Sequence, residues 1–123
     1  MECRILKVKK DSYIVIPKKN ASTDRSLPAL ASLDDQILTV GGFHSNGNYL
    51  RTVSSYVLKD NKWVEDLPQL NERRYGASAC RLSKHVYVFA GREGRLCLNS
   101  IEKIDVVSLV SMGKSVWKLI DVP

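Results

Sequence analysis

The stretch Val86-Tyr87-Val88-Phe89-Ala90-Gly91 has a counterpart 49 residues earlier, Ile37-Leu38-Thr39-Val40-Gly41-Gly42, and this pair decides how the chain is read. Both are short apolar runs closed by glycine. A strand covered on both faces shows such a run without alternation, and glycine suits an exit that needs positive φ or close backbone approach. The same shift of 49 places Arg25 on Arg74 and Leu33 on Leu82. Beyond the glycine the shift becomes 48, pairing Val53 with Ile101 and Tyr56 with Ile104, and then 54, pairing Trp63 with Trp117. One register with two changes of loop length runs through the chain, and a fixed period near 50 marks a repeat architecture.

The prolines keep the same beat. Pro17, Pro68 and Pro123 each close a short apolar stretch, and proline, which cannot donate to a ladder, suits the exit from a strand. The chain divides accordingly into residues 1–17, read as the last two strands of a preceding repeat, and residues 18–68 and 69–123, each a full repeat. No window shows the apolar spacing of an amphipathic helix, so the expected class is all-β. Strands are expected from Leu27 to Leu33, Gln36 to Gly41, Thr52 to Leu58 and Lys62 to Leu67. In the later unit they run from Tyr75 to Leu82, His85 to Ala90, Asn99 to Val106 and Val116 to Val122. The chemistry is graded across each unit. Small residues (Gly76, Ala77, Ser78, Ala79, Cys80) suit a crowded inner strand, the apolar run follows, and the last strand mixes Trp with polar residues, as an outer edge should. That order, from crowded axis to wet rim, is the order of a propeller blade.

On these residues the chain resembles the kelch-repeat family. The features that carry the likeness are the run ending in Gly41-Gly42, Tyr56, and Trp63 before Leu67-Pro68, recurring as the run ending in Ala90-Gly91, then Leu98 to Asp105 and Trp117. Two departures stand out: Ala90 replaces the first glycine of the pair, and Ile104 replaces the tyrosine. The resemblance implies an incomplete kelch-type β-propeller built from blades of four antiparallel strands. Gly41, Gly42, Tyr56, Trp63, Gly91 and Trp117 are then motif residues that build the blade, with the tryptophans packed between blades.

Composition limits the function classes. With 44% hydrophobic and 26% charged residues the chain is globular rather than disordered. No apolar run approaches the roughly 18 residues of a membrane span, so no membrane partner is expected. The amino terminus lacks the apolar core of a secretory signal. Cys3, Cys80 and Cys97 form an odd set without paired spacing, as reduced thiols do, and Cys80, in an apolar strand, reads as an inert small hydrophobe. Together these predict a cytoplasmic protein. The net charge of +6 is dispersed in pairs such as Arg73-Arg74, with no aromatic interleaving, so nucleic acid is not the expected partner.

Catalytic groups are sparse. His44 and His85 lie most of a repeat apart, and no metal spacing, phosphate loop or nucleophile elbow is present, so neither catalysis nor a cofactor is expected. The antiparallel order of a blade instead brings the loop between second and third strands, and the link to the next blade, out on one face. That face collects Arg25, His44, Asn48, Tyr49, Arg73, Arg74, Arg92 and Arg95. Binding residues concentrate on loops held by a rigid scaffold, and the family resemblance implies that this face holds a protein or peptide partner, here an acidic or polar one. The expectation is a non-catalytic interaction module of adaptor or scaffold type, with substrate recognition for ubiquitin ligation as one use. A carbohydrate-active propeller enzyme and a truncated product without independent function are the alternatives. About two and a third blades leave apolar faces open, so self-association or further blades are expected to close them.

Overall fold

The computed structural model describes residues 3–9, 12–18, 24–110 and 116–120, the first two segments as paired strands. Strands β1 (Cys3–Lys9) and β2 (Ser12–Lys18) form an antiparallel hairpin with Cys3 opposite Lys18. Two four-stranded antiparallel sheets follow, each a blade. Blade one takes β3 (Ala29–Leu33), β4 (Gln36–Phe43), β5 (Tyr49–Val57) and β6 (Lys62–Leu67) in that spatial order. Blade two begins with β7 (Ser78–Leu82) and β8 (His85–Phe89). After a miniature hairpin, β9 (Arg92–Glu93) with β10 (Leu96–Cys97), it continues through β11 (Ile101–Asp105), helix α1 (Val106–Val110) and β12 (Lys118–Ile120). Its spatial order is β7-β8-β11-β12.

The three inner strands of the two blades pair in matching register. Ala29 pairs with Val40 as Ser78 pairs with Phe89, and Ile37 with Tyr56 as Val86 with Ile104. The Leu58 amide donates to the Asp35 carbonyl as the Val106 amide donates to that of Lys84. The offsets read from the sequence are therefore the offsets of the hydrogen-bond ladders. Among the described residues no helix is long and apolar enough to cross a membrane.

The core lies between the blades, where Ala29, Ala31, Leu38 and Val40 meet Val86, Val88, Ile104 and Trp117. The link after β6 stitches the blades together through backbone bonds. Leu70 N–H donates to Arg51 O at 2.9 Å, Arg74 N–H to Leu50 O at 3.0 Å, and Gly42 N–H to Arg74 O at 2.7 Å. Gly76 N–H adds a bond to Leu27 O at 2.9 Å. Each bond satisfies a group that burial at the junction would otherwise leave unpaired.

Three expectations need correction. The later unit is not all strand: past Asp105 the chain turns into α1, whose first turn is capped by Asp105 Oδ1, accepting from Val107 N at 2.9 Å and Ser108 N at 3.2 Å. Aspartate at this position supplies the acceptor that a helix start lacks, and wholly buried Leu109 anchors the helix to the core. The helix falls where the repeat offset jumps from 48 to 54, so the added residues coil rather than lengthen a strand. Second, β8 is not covered on both faces as β4 nearly is, because its burial alternates, with Val86 and Val88 buried, His85 and Tyr87 half-buried and Phe89 exposed. Third, Cys80 is exposed rather than a buried hydrophobe.

Candidate functional site

Arg25 and Arg74 enter their blades at equivalent positions and turn inward. The Arg74 side chain is 0% exposed. Its Nη1 donates to Ala90 O at 2.9 Å and Ser100 O at 3.0 Å, its Nη2 to Ser100 Oγ at 2.7 Å, and its Nε to Glu102 Oε2 at 3.1 Å. Arg25 repeats the pattern, with Nη1 on Gly41 O and Thr52 O, both at 2.9 Å, and Nη2 on Ser54 Oγ at 2.8 Å. A planar guanidinium with five donors can tie two strand ends this way. Both arginines are therefore keystones of the blade. The expectation that they point to a partner from the loop face meets a guanidinium that is buried and already occupied by its own blade.

The two keystones differ in their counter-charge. Glu102 faces Arg74 directly and also gathers the link, accepting from Asn71 N at 2.6 Å, Asn71 Nδ2 at 3.0 Å and Glu72 N at 3.2 Å. Ser54 occupies the equivalent place in blade one. It passes the contact outward, donating from Oγ to Glu65 Oε2 at 2.5 Å. Burial lowers the Arg25 pKa from its ordinary value, and the Glu65 carboxylate pulls it back up.

The loops do converge. The β4–β5 loop, the link to β7 and the β9–β10 hairpin meet over a groove of about 510 Å³, lined by Asn48, Tyr49, Arg51, Thr52, Arg73 and Glu93. Tyr49, the aromatic residue of its lining, is backed by two further rings, lying 5.2 Å from Phe43 and 5.2 Å from Tyr75, centroid to centroid. The β4–β5 loop is held by itself, with Asn46 N–H donating to His44 Nδ1 at 3.0 Å and Asn48 N–H to Asn46 Oδ1 at 3.0 Å. Arg51, Arg73, Arg92 and Arg95 are exposed. Of the residues expected on this face, Asn48, Tyr49 and Arg73 line the groove, Arg92 and Arg95 sit in the adjacent hairpin, and His44 shapes the loop. Glu93 belongs to the loops the sequence places on this face, whereas Arg51, Thr52 and the ring partners Phe43 and Tyr75 were not singled out. The signal for the rings was present, since Phe43 follows the glycine pair and Tyr75 follows the keystone arginine. Thr52 Oγ1, in the groove wall, is a buried hydroxyl without a partner among the described residues.

Gly41, Gly42 and Gly91 all have positive φ. Trp117 is 2% exposed and its Nε1–H reaches across the junction to Pro68 O at 2.8 Å. Trp63, edge-on to Tyr56 at 5.2 Å, is only half-buried. The histidines do not converge: His44 is in the loop described, and His85 lines a separate hollow of about 370 Å³ beside Lys103 and Asp105 at the opposite end of the blade.

A family model described as "Kelch motif" matches residues 24–65 and 73–110, the two blades in turn. The Kelch repeat and BTB domain-containing protein 2 of Cowpox virus (strain GRI-90 / Grishak) is 26% identical over 107 residues, covering 86% of this chain. The chain spans 19% of the length of that curated relative.

Proposed function

The chain belongs to the kelch-motif family, and from that premise we propose that it is a non-catalytic protein-interaction module whose loop-face groove takes an acidic or polar peptide segment. The observation that carries this reading is the groove itself, walled from both blades by Arg51, Arg73 and Tyr49. Arginine forks match carboxylates in geometry and charge, and tyrosine adds rigid contact area at small entropic cost. Arg92 and Arg95 extend the cationic rim, while Glu93 selects against a partner that is uniformly acidic. Free, exposed Cys80 and Cys97 favour a reducing, cytoplasmic setting. The relative is named for both kelch repeats and a BTB domain, which favours an adaptor or scaffold arrangement, with substrate recognition for ubiquitin ligation as one use. On the same reading residues 1–17 are the outer half of a preceding blade, followed by blades at 18–68 and 69–123.

Synthetic peptides of one length and graded charge, titrated by fluorescence anisotropy, test the reading. Acidic peptides are expected to bind and basic ones not, with affinity falling as salt screens the exposed arginines. Arg73→Ala and Arg92→Ala should each weaken binding about three- to tenfold, since an exposed pair contributes roughly 0.2–1 kcal/mol and one sheltered by the peptide about 1.5 kcal/mol. Neither should move the melting temperature. Lys59→Ala, in the turn at the other end of blade one, should change nothing. Equal losses at Lys59 and Arg73 would reduce the effect to net charge and remove the groove as the site.

A further inference from the structure

We infer that Ala90 closes the outer face of blade two to any further blade set in the register that blade one offers blade two. Because the inner strands of the two blades are equivalent, the junction between the blades shows what that register requires. At Gly41 the backbone is left-handed, with φ of +66°, and the next residue, Gly42, donates its N–H to the Arg74 carbonyl at 2.7 Å. That carbonyl comes so near that a Cβ on Gly41 would fall on its oxygen. Ala90 stands at the equivalent place in blade two, with the same left-handed backbone at φ of +60°, and it carries that Cβ. Left-handed geometry on its own would select glycine. The methyl thus stands where blade one leaves room for a carbonyl.

The surrounding face argues the same way. Ala29, Ala31, Leu38 and Val40 are buried, and their counterparts Ser78, Cys80, Tyr87 and Phe89 are each larger and partly or fully exposed. Val40 is 1% exposed against 37% for Phe89, and Leu33 is 4% against 66% for Leu82. Packed interiors have the density of organic crystals, so added volume pushes facing elements apart rather than being absorbed. With Ala90, every change just named on this face adds bulk. Whatever covers this face in a longer form of the protein is set wider or turned. The inference concerns the flank of the blade and stands independently of the loop-face groove.

The native junction provides the test, because it is the same seat with the carbonyl in place. Gly41→Ala places the methyl in the occupied seat. Gly76→Ala imposes the same left-handed strain, at φ of +66°, where a Cβ would meet nothing within 4 Å. Amide exchange at Gly42, together with Trp117 fluorescence, reads whether the seat stays filled. Gly41→Ala is expected to speed Gly42 exchange about tenfold or more and shift Trp117 emission to the red, while Gly76→Ala leaves both near the unsubstituted values. Retained Gly42 protection and unshifted Trp117 emission in Gly41→Ala overturn the inference. If Gly41→Ala does not fold while Gly76→Ala does, the inference is supported as well, because the two substitutions share the left-handed strain and differ in what the methyl meets.

Discussion

Replacing Arg74 with alanine is expected to cost about 3–5 kcal/mol, because breaking a buried pair leaves its partner as an uncompensated buried charge. That partner is Glu102, itself 0% exposed and 3.1 Å from Arg74 Nε. The loss is wider than one ion pair, since Arg74 also satisfies the carbonyls of Ala90 and Ser100, which close β8 and open β11. Total stability of a small domain is only about 5–15 kcal/mol, so the variant should melt far below the parent or lose its cooperative transition in urea. Glu102→Ala should fall as far, and the double change Arg74→Met with Glu102→Leu should recover only part of the loss, because it removes the uncompensated charge but leaves the Ala90 and Ser100 carbonyls and the Asn71 and Glu72 amides without these partners. The neighbouring Arg73→Ala should stay within about ±0.5 kcal/mol, as exposed substitutions do. Comparable losses at Arg73 and Arg74 would contradict the inward orientation of Arg74. This outcome differs from a partner-facing role for Arg74, which would leave the melting temperature untouched.

Trp117→Ala is expected to cost about 3–5 kcal/mol, the range for deleting a large buried aromatic. The ring is nearly inaccessible and its N–H holds the Pro68 carbonyl at 2.8 Å, so the change opens a cavity and orphans an acceptor at the start of the link. Trp63→Ala should cost clearly less, because that ring is half-buried and keeps one edge toward water. The two tryptophans were expected to behave alike, and the structure separates them. Single-tryptophan variants give the check: Trp117 should emit to the blue of Trp63 and be the less quenched by iodide. Equal emission and equal quenching would show that the blade junction does not form as described.

Much of the fold was legible along the chain. The offsets 49 and 48 matched strand registers because a repeat that conserves ladder pairing must conserve spacing, whatever its side chains. The glycine pair announced positive φ, and the loop ranges located the face where Asn48, Tyr49 and Arg73 meet. Legibility stopped at Asp105, where Val106-Val107-Ser108-Leu109-Val110 has β-branched composition yet forms a helix. Five residues are too few for helical periodicity to show, and the decisive parts are an aspartate cap and one buried leucine.

Pattern and spacing alone determined that this chain makes two successive four-stranded blades, because strand alternation, loop breaks and repeat offset are properties of the linear order. Only the folded molecule decided what each side chain does. Arg73 and Arg74 are adjacent and chemically identical, yet one lines a groove and the other is a buried keystone, since successive residues of an extended link point opposite ways and only one side holds Glu102. Ala29 and Ser78 occupy the same place in their blades, yet one is covered and the other exposed. The cover is supplied by the neighbouring blade, and burial across a junction depends on a surface that is remote in sequence.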